Sequence, residues 1–77
     1  MRIEYDPQAD AAYIYFTDTD LAPGRDMVPL DTPPGVQAMV NMDWKDGKIV
    51  GVEVLGAAAL LHPDLLTQAT LPGESSR

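Results

Sequence analysis

Four carboxylates in the two most clearly patterned parts of the sequence are the first candidates for chemistry. Asp6 and Asp10 flank one predicted turn, while Asp43 and Glu53 lie on two strands that are predicted to be neighbours. Carboxylate oxygens at this density could hold a hard cation such as Mg²⁺ or Ca²⁺. The alternative is structural: Asp6 and Asp10 cap their turn, and Glu53 pairs with a lysine across the strands. Turn chemistry favours the structural interpretation, so the four residues are kept only as weak metal candidates.

The sequence predicts no catalytic residue. His62 is the only histidine, and it has neither a cysteine nucleophile nor a second histidine to complete a catalytic or zinc site. Its position before Pro63 favours a surface cap. The serines and threonines fall in turns, predicted helix or tail, and none lies in a nucleophile-elbow or phosphate-loop pattern. We therefore expect no cofactor and favour a protein that is not an enzyme.

Aromatic side chains offer another kind of chemistry, the recognition of a protein surface. The aromatic residues are Tyr5, Tyr13, Tyr15, Phe16 and Trp44. Rings with a polar tip are enriched at protein interfaces, although in a small sheet they more often form the core. The face that carries Tyr13 and Tyr15 is the best exception. We take Tyr13, Tyr15 and Trp44 as interface candidates.

Two strands joined by a tight turn are predicted to position the first carboxylates. Residues 2–5 alternate between polar and apolar, residues 6–10 have turn chemistry, and residues 11–16 are rich in β-forming types. The segment Leu21–Gly35 is rich in proline, with a short apolar run as its only candidate strand. Pro29 lies in that run and should confine it to an edge of the sheet.

A hairpin in the second half is the firmest structural prediction. Residues Val36–Trp44 alternate in hydrophobicity over nine positions. Asp46-Gly47 suits a turn that needs positive φ, and Lys48–Leu55 returns as a strand rich in β-branched residues. This hairpin would bring Asp43 and Glu53 onto adjacent strands.

Two short helical segments are predicted after the hairpin. The first covers residues 57–61 and must stop before Pro63, because the residue that precedes proline avoids the helical region. Pro63 can open a second helical turn, with an apolar stripe formed by Leu65, Leu66 and Ala69. The polar residues 71–77 are expected to be a disordered tail.

Length and composition limit the fold. The 77 residues suffice for one domain, which we expect over residues 1–70 as an α+β fold, mainly β, with a small antiparallel sheet of four or five strands. A chain of this size buries only about 60% of the surface that its unfolded form exposes, and without cysteine it cannot form a disulfide. Self-association is the remaining simple source of stability. We expect a homodimer.

Charge limits the partners. The formal net charge of −7 disfavours direct binding to nucleic acid or to an anionic membrane surface. The longest apolar runs fall far short of the roughly 20 residues that span a bilayer. Glu4 stands where a signal peptide needs an apolar stretch. We therefore expect a cytoplasmic protein of bacterial type.

Two blocks of the sequence resemble one family of small bacterial proteins. The first block is IEYDPQADAAYI, residues 3–14, and the second is VNMDWKDGKIVGVEVL, residues 40–55. In this combination and order they resemble the domain of unknown function 2283 family. The resemblance implies a small β-sheet fold and no assigned activity. Members are often encoded beside other small proteins, some of them toxin-like, which suggests a protein partner. The segment Leu21–Gly35 and the residues beyond Ala59 depart from the family pattern.

Three hypotheses of function follow. The leading one is a non-catalytic protein–protein interaction module that self-associates, or that binds a small and basic toxin-like protein, through the Tyr13/Tyr15 face and sheet edges with few guards. The second is a divalent-metal-binding or minor enzymatic domain that uses the four carboxylates. The third is an acidic inhibitor of a nucleic-acid-binding protein, for which the sequence shows no long acidic stripe.

Overall fold

A single five-stranded antiparallel sheet with two short helices forms the structure, a computed structural model that describes residues 2–18 and 24–72. The strand order is β1-β2-β5-β4-β3, so the last strand in the sequence lies at the centre of the sheet. The strands are β1 Arg2–Asp6, β2 Ala11–Tyr15, β3 Asp26–Leu30, β4 Met39–Lys45 and β5 Lys48–Leu55; the helices are α1 Ala57–Leu60 and α2 Pro63–Thr67. The predicted α+β class, mainly β, is confirmed.

The predicted hairpin is the pair β4 and β5. Asp46 and Gly47 form its turn with φ values of 53° and 77°, as the Asp-Gly dipeptide indicates. The first strand starts at Met39 instead of Val36, although the alternation of hydrophobicity begins earlier. Met39 pairs with Leu55, the last residue of β5, and Gly56 then turns the chain away at φ 81°. Residues 36–38 consequently have no strand beside them.

Both outer edges of the sheet have a feature that hinders pairing with a further strand. The edge strand β3 contains Pro29, as predicted, and proline lacks the N–H group that a further strand would need. The outer edge of β1 is covered by Thr70: the Thr70 N–H donates to the Ile3 carbonyl, and the Tyr5 N–H donates to the Thr70 carbonyl. The expectation of sheet edges with few guards is therefore wrong.

The two helices begin and end where proline and glycine chemistry allow. Gly56 precedes α1, which ends one residue earlier than predicted. His62 is the N-cap of α2, and its Nδ1 accepts a hydrogen bond from the Asp64 N–H at 3.1 Å. The sequence assigned His62 to this kind of surface cap. No helix in residues 2–18 and 24–72 is long and apolar enough to cross a membrane.

The helices cover part of one sheet face and form a small core there. Among the described residues, the fully buried apolar side chains are those of Ala12, Val54 and Ala57. The partly buried side chains packed against them are Tyr5, Val40, Val52, Leu60 and Leu61. A core of this size leaves much apolar surface in contact with water.

Asp10 joins the first turn of the chain to the start of α1. Its carbonyl accepts from the N–H groups of Gly56 and Ala57, at 2.9 and 3.0 Å. Its carboxylate accepts from the Ala58 N–H at 2.9 Å and from the Tyr5 hydroxyl at 2.7 Å. Asp10 adopts φ 51°, a conformation that aspartate tolerates better than most residues. One residue thus satisfies three of the donors that a helix start leaves without partners.

Part of the predicted tail and middle segment lies outside the described residues. Residues 19–23 and 73–77 fall in this class, so the expectation of a disordered tail stays a prediction. Leu71 and Pro72, which precede that part of the tail, are exposed.

Asp10→Ala is expected to lower the free energy of unfolding by about 1–2 kcal/mol, the usual cost of losing a helix cap. Asp10→Asn keeps an acceptor and tolerates positive φ, so it should cost less. Urea denaturation at fixed protein concentration measures both changes. Asp6→Ala is the control, because Asp6 accepts only from the Gln8 N–H within its own turn. Equal losses for Asp6→Ala and Asp10→Ala would contradict the special role of Asp10.

Candidate functional site

The sheet has two chemically different faces. Successive residues of a strand point to opposite faces, and residues paired across strands share a face. We call the face that carries Tyr13 and Tyr15 the tyrosine face, and the opposite face, on which the helices lie, the apolar face. The three residues of β1 on the tyrosine face are Arg2, Glu4 and Asp6.

Tyr13 crosses the tyrosine face from β2 to β4. Its hydroxyl donates a hydrogen bond to Oδ2 of Asp43, over the backbone of Gly51 on the intervening strand β5. A Cβ atom at position 51 would overlap the Tyr13 ring, so only glycine leaves room for the ring there. The side chain of Asp43 is only 2% exposed, although it lies on a face that no helix covers.

Arg25 reaches the same carboxylate from the residue before β3. Its Nη1 lies 3.4 Å from Oδ2 of Asp43 and donates to the Tyr13 hydroxyl, also at 3.4 Å. The buried carboxylate therefore has a positive partner, without which burial of its charge would be costly. We call Asp43, Tyr13 and Gly51 the Asp43 site.

A second tyrosine repeats this arrangement at the β1 edge. Tyr15 donates to Oε1 of Glu4 at 2.7 Å, and the Arg2 guanidinium lies over the Tyr15 ring, 3.8 Å from its centroid. The centroids of the Tyr13 and Tyr15 rings are 4.6 Å apart at a tilted angle. Aromatic pairs and arginine–ring contacts of this kind each stabilise the arrangement modestly. The two tyrosines are half-buried, with both hydroxyls occupied by carboxylates.

Glu53 binds an amide, and the predicted lysine contact is not formed. The Asn41 Nδ2 donates to Oε1 of Glu53 at 3.1 Å, across the β4–β5 pair. Asn41 is 5% exposed. The lysines of the hairpin, Lys45 and Lys48, are cross-strand neighbours at the turn end of β4 and β5. Glu53 lies further along β5, opposite Asn41.

The structure does not bring the four candidate metal ligands into one site. Asp6 caps its own turn, Asp10 caps α1, Asp43 binds Tyr13 and Arg25, and Glu53 binds Asn41. Within the described part of the chain, no three His, Cys, Asp or Glu residues are placed to hold a metal ion. Asp6 caps its own turn, as the structural interpretation predicted. Asp10 was predicted to cap the same turn, but its carboxylate accepts from the Ala58 N–H of α1, 48 positions later in the sequence.

All three tyrosine hydroxyls are held in the protonated form. Burial raises the pKa of Tyr13 and of Tyr15, and the hydrogen bonds to Asp43 and Glu4 raise them further. The hydrogen bond to Asp10 raises the pKa of Tyr5. In each case the phenolate would lose its carboxylate acceptor and face its negative charge. The tyrosines therefore act as hydrogen-bond donors that fix the polar lattice of this face.

The apolar face is covered over only part of its area. One row across the sheet consists of Ile3, Ile14, Val52, Met42 and Val28, which are paired in register from β1 to β3. Ala57 and Leu60 of α1, together with Leu61, pack around Ala12 and Val54 of the neighbouring row. Leu30 is exposed at the β3 end of that row.

Large apolar side chains remain in water on the uncovered part of this face. Phe16, Val28 and Leu30 are 46%, 47% and 42% exposed, and they adjoin half-buried Ile14 and Met42. We call these five residues the open apolar patch. Val28 and Leu30 are neighbours on β3 beside Met42, whereas Phe16 adjoins Ile14 at the β2 end of the same row. Exposed apolar side chains that share one face of a sheet mark interaction sites more often than isolated exposed residues do.

Trp44, the third interface candidate, lies at the turn end of the hairpin. It pairs with Asp26 on β3 and, after a β-bulge that follows Asp43, with Ile49 on β5. Trp44 is half-buried, whereas Ile49 is 40% exposed. The structure thus separates Trp44 from the two tyrosines, which lie on the other side of the sheet centre.

Comparison with known families identifies the strand region of the chain. The family model described as Protein of unknown function (DUF2283) matches residues 2–57. The chain belongs to this family. Comparison with curated proteins and with solved structures gave no match. The DUF2283 region contains all five strands and ends at Ala57, the buried first residue of α1. The resemblance seen in the two sequence blocks is confirmed, and the family description adds no activity.

Two residues of the tyrosine face were missed by sequence reasoning. Gly51 interrupts a β-branched run, and a glycine inside a strand often marks the close approach of another group. That signal could have been used. Arg25 gave no signal, because its role depends on a carboxylate 18 positions later in the sequence and on strand pairing.

Gly51→Ala is expected to lower the free energy of unfolding by about 1–3 kcal/mol, because the new methyl group displaces the Tyr13 ring. In a Tyr13→Ala background the same change should cost less than about 1 kcal/mol, since the obstructing ring is gone. A double-mutant cycle by urea denaturation measures the coupling. An equal cost of Gly51→Ala in both backgrounds would show that the ring is not the cause.

Absorbance at 295 nm is expected to show all three phenols ionising above their ordinary pKa of 10.0. Between pH 10 and the raised pKa values the folded chain binds more protons than the unfolded chain. The stabilisation from these groups should therefore be fully present, and independent of pH, well below pH 10, and the free energy of unfolding should fall as pH rises above 10. Tyr13→Phe, which removes one of the protons, should make this fall shallower. A phenol that ionises below pH 10 in the folded protein would contradict the assignment.

Proposed function

We propose that this protein is a non-catalytic protein–protein interaction module and that the open apolar patch binds a second copy of the chain. The observation that carries the proposal is the exposure of Phe16, Val28 and Leu30 on the face where α1 packs on Ala12 and Val54. A partner would extend the layer that α1 begins.

The chemistry of the patch favours a second copy in spite of the net charge of −7. None of its five side chains is ionisable. Asp26 of β3 shares the face of Val28, but Glu4, Asp6, Asp43 and Glu53 of the other strands point to the opposite face. A two-fold contact through the patch therefore joins apolar surfaces of like chains without bringing the last four carboxylates together.

The size of the core gives a second argument for self-association. In the part of the chain that the structure describes, only three apolar side chains are fully buried, and the protein has no disulfide. Complete burial of an exposed Val, Leu or Phe side chain is worth roughly 1.5–3 kcal/mol, and Phe16, Val28 and Leu30, which are 46%, 47% and 42% exposed, would each gain about half of that in a dimer. Small domains commonly gain stability by assembly in this way.

Contact through the faces is also easier than contact through the edges. Pro29 removes a donor from β3, and Thr70 covers β1. A strand-to-strand dimer would have to overcome one of these guards. Packing of one sheet face on another needs neither edge.

Val28→Lys is expected to raise the dimer dissociation constant at least about tenfold, equivalent to 1.4 kcal/mol, because it places a charged ammonium group in an apolar contact. Sedimentation velocity over micromolar concentrations measures the monomer–dimer equilibrium. The control is Met27→Lys, at the preceding residue of β3, which is 51% exposed, points to the tyrosine face and changes the net charge equally.

Three results would contradict this proposal. They are a strictly monomeric wild-type protein, equal weakening by both lysine variants, and weakening by Met27→Lys alone. The last two would move the contact to the β3 edge or to the tyrosine face. Near-ultraviolet circular dichroism of Trp44 verifies that each variant is folded.

A further inference from the structure

We propose that the Asp43 site binds an arginine side chain of a basic partner protein, and that Arg25 occupies this site in the free protein as an internal competitor. The proposal concerns the tyrosine face and does not depend on dimer formation through the apolar face.

The Asp43 site is already assembled to receive a cation. Three neighbouring strands contribute to it: Tyr13 from β2, Gly51 from β5 and Asp43 from β4. The Tyr13 hydroxyl donates to Asp43 and so fixes the carboxylate, whose side chain is 2% exposed. A fixed carboxylate beside an aromatic ring is a favourable environment for a guanidinium group, which can pair with the one and stack on the other.

Arg25 uses this site incompletely. One nitrogen, Nη1, makes both contacts, and each is 3.4 Å long, beyond the usual range for N–H···O hydrogen bonds. Its guanidinium carbon is 6.0 Å from the centroid of the Tyr13 ring, compared with 3.8 Å for Arg2 above Tyr15. The Arg25 side chain remains 35% exposed. A guanidinium that approaches without this constraint can make two parallel hydrogen bonds to a carboxylate and lie closer to the ring.

The position of Arg25 explains why its contact is loose. It lies one residue before β3, whose pairing with β4 fixes Asp26 opposite Trp44, next to Asp43 in the sequence. The backbone therefore holds Arg25 close to the site, at a high effective concentration, but restricts the orientations in which its guanidinium can approach Asp43. An occupant held in this way excludes weak ligands and yields to one that binds better.

The net charge of the chain indicates that the partner is a basic protein. The chain carries a net charge of −7, which attracts basic proteins and raises their rate of association at low salt. The Asp43 site then selects arginine over lysine, because a planar guanidinium matches the carboxylate and ring, whereas an ammonium is a compact point charge.

Competition makes a quantitative prediction. The apparent affinity of a ligand falls in proportion to the fraction of molecules in which its site is open. If Arg25 occupies the site in most molecules, its removal should tighten binding of an arginine ligand at least about fivefold. The increase equals the reciprocal of the open fraction.

The test is a titration of ¹⁵N-labelled protein with N-acetyl-arginine amide, followed by backbone amide shifts. Arg25→Ala should bind the probe at least about fivefold more tightly than wild type, with shifts concentrated at Tyr13, Asp43 and Gly51. N-acetyl-lysine amide should bind Arg25→Ala more weakly than the arginine probe does.

Arg2→Ala is the matched control. It removes the same charge from the same face, but Arg2 lies over Tyr15 and does not contact Asp43. Its affinity for the probe should equal that of wild type. Adding Asp43→Asn to Arg25→Ala should abolish binding, and the amide spectrum shows whether this double variant is folded. If it is not, Tyr13→Phe in the Arg25→Ala background replaces it and should weaken binding of the probe.

Several outcomes would overturn the proposal. Equal tightening in Arg25→Ala and Arg2→Ala would show that only net charge matters. Absence of binding to Arg25→Ala, or shifts located away from the three site residues, would show that the carboxylate is a purely structural partner of Arg25. Equal affinity for the arginine and lysine probes would remove the selectivity on which the proposed partner class rests.

Discussion

The hydrogen bonds of Asp10 fix where α1, the helix that follows the sheet, begins. Its carbonyl and carboxylate together bind the N–H groups of Gly56, Ala57 and Ala58, so the first turn of the chain determines where α1 begins. Because α1 starts there, Ala57 packs on Ala12 and Val54, and Phe16, Val28 and Leu30 stay exposed on the same face. The extent of the open apolar patch therefore depends on where Asp10 holds α1.

The two faces of the sheet differ in how their side chains are shielded from water. On the tyrosine face, polar side chains bind one another in chains of tyrosine, carboxylate and arginine, and in this way they bury Asp43 without a covering layer. On the apolar face, hydrophobic side chains have no such means, and those beyond the helices stay in water. The first face is held together by hydrogen bonds among its own side chains, whereas the second gains free energy from any surface that covers it.

Local sequence signals predicted the strands well, and long-range contacts account for what they missed. Asp46-Gly47, Pro29 and the alternation along β4 and β5 each act over a few residues, and the structure agrees with them. Residues 36–38 show the same alternation, but β5 ends before it could pair with them. The periodicity of one segment does not indicate where its partner strand ends.

The contacts that define the site join distant positions. The Tyr13–Asp43 and Asp10–Ala58 hydrogen bonds link residues 30 and 48 positions apart, and both depend on which strands are neighbours. The carboxylates were recognised as important residues, but their partners could not be derived without the strand order. Asp43 was only a weak candidate metal ligand in the sequence, and in the structure its carboxylate is paired with the guanidinium of Arg25.

The bridge between β1 and Thr70 also constrains how the chain is made. The outer edge of β1 is closed by a residue 66 positions after Glu4, its partner in the bridge. During synthesis β1 can pair with β2, but its other side stays available to any strand nearby. A nascent chain in which β1 has left the ribosome and Thr70 has not therefore has an unprotected edge. Chaperones and neighbouring nascent chains would meet the protein in that form, before the completed sheet exists.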